Sequence, residues 1–246
     1  MNIWITSCKG FLGRAVAEEC IRRGERVIRT DVDYLATPDV SALLPEKIDL
    51  VIHTASVCRW HPKESSARFL KNRDILANVL SSLGKRETPI ILPRPMGSLE
   101  PWNAYSQAAA NLNSHRCQLV FLPTLYGQND PHHAKVVPSF VMATAGRGEQ
   151  PMVIYGGGKA VRHYMHVEEA AQRLFNEVAS WRGRPIVIPG ELFSVSNLSE
   201  EMIPMAEQIL AKKVDVEERP WQFRPDGLGA PSPDWIGPKE GVKTKI

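Results

Sequence analysis

Residues 2–13 read NIWITSCKGFLG, and this stretch decides the fold. The apolar run at 2–7, bounded by polar residues, reads as a buried strand. TSCKGFLG follows directly and opens into a helix, because Phe11, Leu12, Ala15, Val16 and Ile21 recur near helical spacing. Gly24 stands where that helix would stop. A strand, a turn with spaced glycines and a helix together present backbone N–H groups and a helix N-terminus to a pyrophosphate. Gly10 and Gly13 are in place for this, and Ser7 stands at the position of the first expected glycine.

The pattern repeats outward. RVIRTD at 26–31 reads as a strand ending on Asp31, and DLVIHTAS at 49–56 as a third strand dense in β-branched residues. The stretch 66–84, SARFLKNRDILANVLSSLG, predicts a long amphipathic helix closed by Gly84. PIIL at 89–92 and CQLVFL at 117–122 are two further apolar runs, on either side of a helical segment that contains Tyr105. Strands alternating with helices predict an α/β fold, a doubly wound parallel (Rossmann) sheet with a smaller, discontinuous C-terminal lobe. From Pro220 onward the composition turns to Pro, Gly and Trp without a period. That segment is either a loose tail or a wrapped one held by aromatic anchors.

Asp31 falls 18 residues past Gly13, close to where an acidic side chain holds a ribose 2′-hydroxyl. A carboxylate there repels the extra phosphate of NADP, so NAD is the expected cofactor. The other reading of Asp31 is a solvated aspartate at a strand end.

Bulk properties fit this picture. The 246 residues suit one large α/β domain or one domain with a smaller appendage, and 43% hydrophobic residues suffice for a sizeable core. A net charge of +3, with the basic residues scattered, gives no argument for nucleic acid or a membrane surface. RWHPK at 59–63 is one mixed aromatic and basic patch, which is weak ground for RNA. No apolar run approaches the ~18 residues of a membrane span, and the start lacks the pattern of a signal peptide. Cys8, Cys20, Cys58 and Cys117 show no paired spacing, so reduced thiols and a cytoplasmic location are expected. The histidines at 132, 133, 163 and 166 lack further ligands at metal spacing, so no metal is expected.

These residues resemble the extended short-chain dehydrogenase/reductase family, the NAD-dependent nucleotide-sugar epimerases and dehydratases. TSCKGFLG is similar to the family's TGxxGFxG. DLVIHTAS resembles the strand that passes beneath the cofactor, with His53 and Ala55, and Asp39–Val40 sits where the family contacts adenine. Asn72 and Asn78 match two asparagines of the long helix. LPTLYGQND at 122–130, including Pro123, is similar to RPxNxYGPxD. The stretch 136–171, with IYGGGK at 154–159, resembles the segment that closes over the sugar nucleotide. FSVSN at 193–197, RPD at 224–226 and WIGPKEG at 235–241 follow in the family's order.

The resemblance implies an enzyme that moves a hydride on a nucleoside-diphosphate sugar, with a dimer as the expected assembly. It implies a cofactor domain of residues 1–127 plus about 166–198, and a substrate lobe of about 128–165 plus 199–246, with a cleft between them. Ser7, Gly10, Phe11, Leu12, Gly13, Asp31, Asp39, Val40, His53, Ala55, Tyr105 and Pro123 would hold NAD. Val137, Arg162 and Arg224 would hold the substrate, the arginines on its diphosphate, where guanidinium forks suit phosphate oxygens.

The departures lie in the chemistry. Tyr105 aligns with the tyrosine that takes the hydroxyl proton, and a free tyrosine, with a pKa near 10, is a poor base at neutral pH. The family supplies a lysine four residues on; here Ala109 stands there, and Pro93, Arg94 and Pro95 replace the usual serine or threonine. Leu122 and Leu125 take the places of a family arginine and asparagine. Two explanations are open. Arg94 and Ser98 could substitute, leaving Tyr105 a working base, or Tyr105 is a packed remnant in a protein that binds without turnover.

Overall fold

The computed structural model describes residues 1–56, 67–96, 116–131, 135–145, 151–178 and 185–220. The chain divides into two compact units, residues 1–60, 64–132 and 163–192 in the first and 61–63, 133–162 and 193–246 in the second.

The first unit is a parallel sheet. Its strands are β1 (Asn2–Thr6), β2 (Arg26–Thr30), β3 (Leu50–His53), β4 (Ile90–Pro95), β5 (Cys117–Leu122) and β9 (Ile186–Val187), in the order β2-β1-β3-β4-β5-β9. Helices α1 (Phe11–Arg22) and α2 (Ala67–Leu83) are the two predicted from periodicity. Gly24 and Gly84, expected to end them, both have left-handed backbones, with φ of 78° and 58°.

Alternation along each strand divides the core. Ile3 and Ile5 join Val16, Ala17 and Cys20 of α1 on one face, together with Leu50, Ile52 and Ile91. Trp4, Val51, Ile90 and Leu92 face the other way, onto Ile75, Leu76, Val79 and Leu83 of α2. The strands are apolar on both faces because both are covered, as a parallel sheet with helical crossovers requires. A third helix, α4 (Val167–Val178), lies on the α1 face through Ala170, Ala171 and Leu174.

The order 2-1-3 places a topological switch between β1 and β3. In sheets of this kind ligands bind in the crevice outside the carboxyl ends of the strands at that point. Residues 31–49 carry no strand, only turns and a short 3₁₀ segment at Ser41–Leu43, so among the described residues β2 is the sheet's edge on that side.

The smaller unit has its own core, Phe140, Met152, Ile154 and Val195. Strand β7 (Met152–Tyr155) pairs in parallel with β11 (Val216–Arg219), and helices α3 (Val136–Thr144) and α5 (Val195–Leu210) contribute to that core. The triple glycine after β7 turns the chain with φ of 59°, 63° and 66°. A methyl group on Gly158 would meet the Ser196 amide nitrogen at 2.6 Å, so glycine is required there for space as well as for backbone angle. Strands β6 (Thr124–Tyr126), β8 (Val161–His166) and β10 (Glu191–Ser194) form a third sheet, ordered β10-β8-β6.

Candidate dinucleotide site at the end of the sheet

Strand register assembles the site. Thr6 is paired with Thr30 on one side and with His53 on the other, so Ser7, Asp31 and Thr54 leave the sheet side by side. The Thr6 hydroxyl accepts from the Ala55 amide at 3.0 Å and bonds His53 Nδ1 at 3.1 Å, and the Thr54 hydroxyl donates to the Thr6 carbonyl. His53 is buried; desolvation alone brings its pKa down to about 3, so the ring is neutral across the physiological range. His53 and Ala55 thus tie β3 to β1 directly under the turn.

The turn has the geometry of a phosphate cradle. Ser7 adopts φ 62°, the left-handed backbone that a glycine enters without strain, so the serine keeps the shape of the residue it replaces. The Gly10 amide donates to the Ser7 carbonyl at 3.0 Å and closes the turn. A methyl group on Gly13 would stand 2.1 Å from the Ser7 carbonyl oxygen and 2.7 Å from Thr54 Oγ1, so helix and strand approach too closely for any side chain. Helix α1 has no side-chain cap and no acidic residue in its first turn, which leaves its positive end directed at the crevice. Phe11 and Leu12 are half-buried and brace the helix start against the core. The two glycines and the uncapped helix start are the features that a diphosphate cradle requires.

A chain of hydrogen bonds positions Asp31. Trp4 Nε1 donates to Thr30 Oγ1 at 2.7 Å, and the Tyr34 hydroxyl bonds the same oxygen and the Thr30 carbonyl. Burial pushes the Tyr34 hydroxyl up to about 12, so it stays protonated as a donor. Asn78 holds the Tyr34 carbonyl from α2 at 2.7 Å. The end of β2 is therefore fixed, and the Asp31 carboxylate lies 3.5 Å from Lys9 Nζ in the turn.

Asp39 and Val40, expected at adenine, are anchored locally. Asp39 Oδ1 accepts from the Ser41 amide at 2.8 Å, a bond that holds its carboxyl below the usual range. Val40 is buried and its amide donates to Ser82 Oγ at 3.0 Å. Pro123 is buried just past β5 on the same edge of the sheet. Arg94 is buried near the end of β4, its guanidinium 5.3 Å from the centre of the Phe121 ring. In the smaller unit, Val137 is half-buried in α3 and Arg162 half-buried in β8. Tyr105, Ser98, Ala109 and Arg224 lie outside the described residues.

The structure thus brings Ser7, Gly10, Gly13, Asp31, His53 and Ala55 together at one switch point. Sequence reasoning missed Thr6 and Thr54, which tie the turn to β3, and Lys9, which sits against Asp31. A lysine inside a glycine turn and a hydroxyl at a strand's last residue were the available signals. Among the described residues no group of acidic, histidine or cysteine side chains could hold a metal, and no helix is long and apolar enough to cross a membrane.

Residues 103–176 match the sequence model of the NAD dependent epimerase/dehydratase family. No curated protein matches the chain. Among solved structures, the chain is similar to UDP-glucuronic acid 4-epimerase from Bacillus cereus, solved in complex with NAD and a fluorinated UDP-glucuronic acid. The identity is 15%, the match covers 92% of this chain and 91% of that one, and the TM-score is 0.71. UDP-glucose 4-epimerase from Thermotoga maritima, solved with UDP-glucose, matches at 18% identity over 90% and 86% of the two chains, also at 0.71. The dTDP-glucose 4,6-dehydratase from Streptomyces venezuelae, solved with NAD bound, matches at 16% over 90% and 85%, at 0.69. The resemblance read from the motifs is borne out: residues 103–176 match the NAD dependent epimerase/dehydratase family, and the chain has the Rossmann fold of nucleotide-sugar epimerases and dehydratases.

Proposed function

We propose that the protein holds NAD across the turn from Ser7 to Gly13 and acts on a nucleoside-diphosphate sugar by hydride transfer. The observation that carries this reading is the close approach at Gly13, where the Ser7 carbonyl leaves no room for a Cβ and the open end of α1 points outward. That close packing of helix against strand brings the uncapped start of α1 up to the turn, where its free amides suit a diphosphate.

In this reading residues 1–127 and about 166–198 serve the cofactor, and about 128–165 and 199–246 the substrate. Asp31 would accept from the ribose 2′-hydroxyl, and His53 and Ala55 would form the floor. Asp39 would lie at the adenine by its exposed carboxylate, because the Val40 amide is already engaged with Ser82. Val137, Arg162 and Arg224 would hold the sugar nucleotide, the arginines on its diphosphate. When bound, NAD supplies the hydride acceptor. Tyr105 would take the hydroxyl proton, with positive charge from Arg94 favouring its phenolate and Ser98 supplying a hydroxyl. The expected assembly is a cytoplasmic dimer.

One fact favours a second reading, binding without turnover: Ala109 stands where the family places its lysine. Denaturing the purified protein and analysing the supernatant by mass spectrometry separates these from an unrelated role. Release of NAD or a sugar nucleotide, or binding of either when added, is expected. Finding neither would sink both readings. If NAD is bound, turnover by Tyr105→Phe equal to that of the unaltered protein would remove Tyr105 from the chemistry.

A further inference from the structure

Helix α5 is apolar on more than the face it buries. Val195, Met202 and Ile203 pack into the core of the smaller unit, which accounts for the one stripe an amphipathic helix needs. Met205 and Ile209 lie outside that stripe, 61% and 79% exposed. Ile209 is the most exposed large hydrophobic side chain among the described residues. Leu198, Met202, Met205 and Ile209 follow at intervals of four, three and four, the repeat of a seam between two helices. Leu198 and Met202 are half-buried, so the seam emerges from the core and ends in solvent. The other long helix, α2, differs, for its exposed positions are Lys71, Arg73, Ala77 and Ser81. Charge is also divided along α5. Glu200 and Glu201 are exposed before the apolar pair, and Lys212 and Lys213 after it, just past the left-handed Ala211 that ends the helix. Among the described residues, Glu201, Lys212 and Lys213 have no ion-pair partner within the chain.

We infer that this face of α5 pairs antiparallel with the same face of a second copy of the chain. Setting Met205 of one copy opposite Ile209 of the other gives a two-fold arrangement, in which each contact is repeated with the copies exchanged. Four residues outward along both helices, Glu201 of one copy then stands opposite Lys213 of the other, and this pair occurs twice. A parallel pairing would set Glu201 against Glu201 and Lys213 against Lys213, and such like-charge contacts are unfavourable. The exposed side chains of Met205 and Ile209 supply the apolar centre, and the charged ends fix direction and register. The inference is independent of the cofactor reading and gives the expected dimer its contact face.

Sedimentation velocity of the full chain over a range of concentrations tests the inference. A monomer–dimer equilibrium is expected. Ile209→Asp alters an exposed side chain, so the melting temperature should hold within a few degrees while the dissociation constant rises about thirtyfold or more. Glu201→Lys and Lys213→Glu should each raise it about fivefold. The double variant Glu201→Lys with Lys213→Glu should bring it back to within about twofold of the unaltered protein, because both pairs return with their signs exchanged. A dimer that Ile209→Asp leaves intact would overturn the choice of face and leave the dimer expectation standing. A double variant no tighter than the single ones would overturn the antiparallel register. A monomer at every concentration would overturn the inference outright, and a dimer formed only after removal of residues 221–246 would assign the face to the chain's own C-terminal segment instead.

Discussion

The carboxyl ends of β1 and β4 belong to one sheet, separated by a single strand, yet they have fared differently. At the end of β1, Ser7 has replaced a glycine and the turn keeps its left-handed angle, its closing hydrogen bond and its close approach at Gly13. At the end of β4, Pro93, Arg94 and Pro95 stand where a hydroxyl is usual, and Arg94 is buried over Phe121. In the proposed reading the first end would serve through its backbone, the second through side chains. A backbone cradle tolerates a change of residue if the new side chain can accept the same φ and find space. A proton-transfer site works through side-chain atoms, so in the hydride-transfer reading other groups have to supply what the missing hydroxyl would.

The contrast can be broken most severely at Gly13. Gly13→Ala places a methyl group 2.1 Å from a carbonyl oxygen. It should destabilise the fold by about 3 kcal/mol in chemical denaturation and abolish dinucleotide binding by calorimetry. Binding retained at the original affinity would show that the diphosphate does not lie over this turn.

At the other end, Arg94→Met should lower stability by about 2 kcal/mol, the worth of a desolvated cation–π contact. Under the hydride-transfer reading it should also remove turnover. Ala109→Lys sharpens the same point, since a large gain in activity would mean that the site had decayed rather than found substitutes.

A third effect belongs to His53, between the two ends. Its folded pKa, about 3, lies below the ordinary value of 6.5, so the unfolded chain binds the extra proton first. Stability is therefore unaffected above pH 6.5 and falls as the pH drops from there toward 3, by up to about 1.4 kcal/mol per unit. His53→Asn should flatten this part of the acid denaturation curve. An unchanged slope would show that the ring is not buried neutral.

The smallest effect is expected at Ser7. Ser7→Gly relieves the left-handed strain but adds chain entropy to the unfolded state, so stability should rise by no more than about 1 kcal/mol. A large loss instead would mean that the hydroxyl has a structural role.

Much of the first unit was legible because its signals are local. The boundaries of β1, α1 and α2 lie within a residue or two of those read from period and punctuation, and Gly24 and Gly84 stop their helices as expected, whereas β3 ends at His53, three residues before the end of the apolar stretch read as a strand. The glycine turn and Asp31 were found through spacing alone. The ion pair of Lys9 with Asp31 was not, since 22 residues separate the two and only strand register brings them together. Nor was the bond from the Val40 amide to Ser82, which depends on how α2 packs over residues 31–40.

The sequence by itself determined the alternation of apolar strands and helices, the glycines of the cradle and the alanine, not lysine, four residues after Tyr105. Each of these is a property of residue type and near spacing, and no folding is needed to read it. Only the tertiary structure decided that β2 ends the sheet, that Ser7 carries a glycine's backbone angle and that Asp31 faces a cation. Those facts depend on which strands become neighbours, and neighbours are chosen by burial of both sheet faces across the whole unit rather than by any one segment.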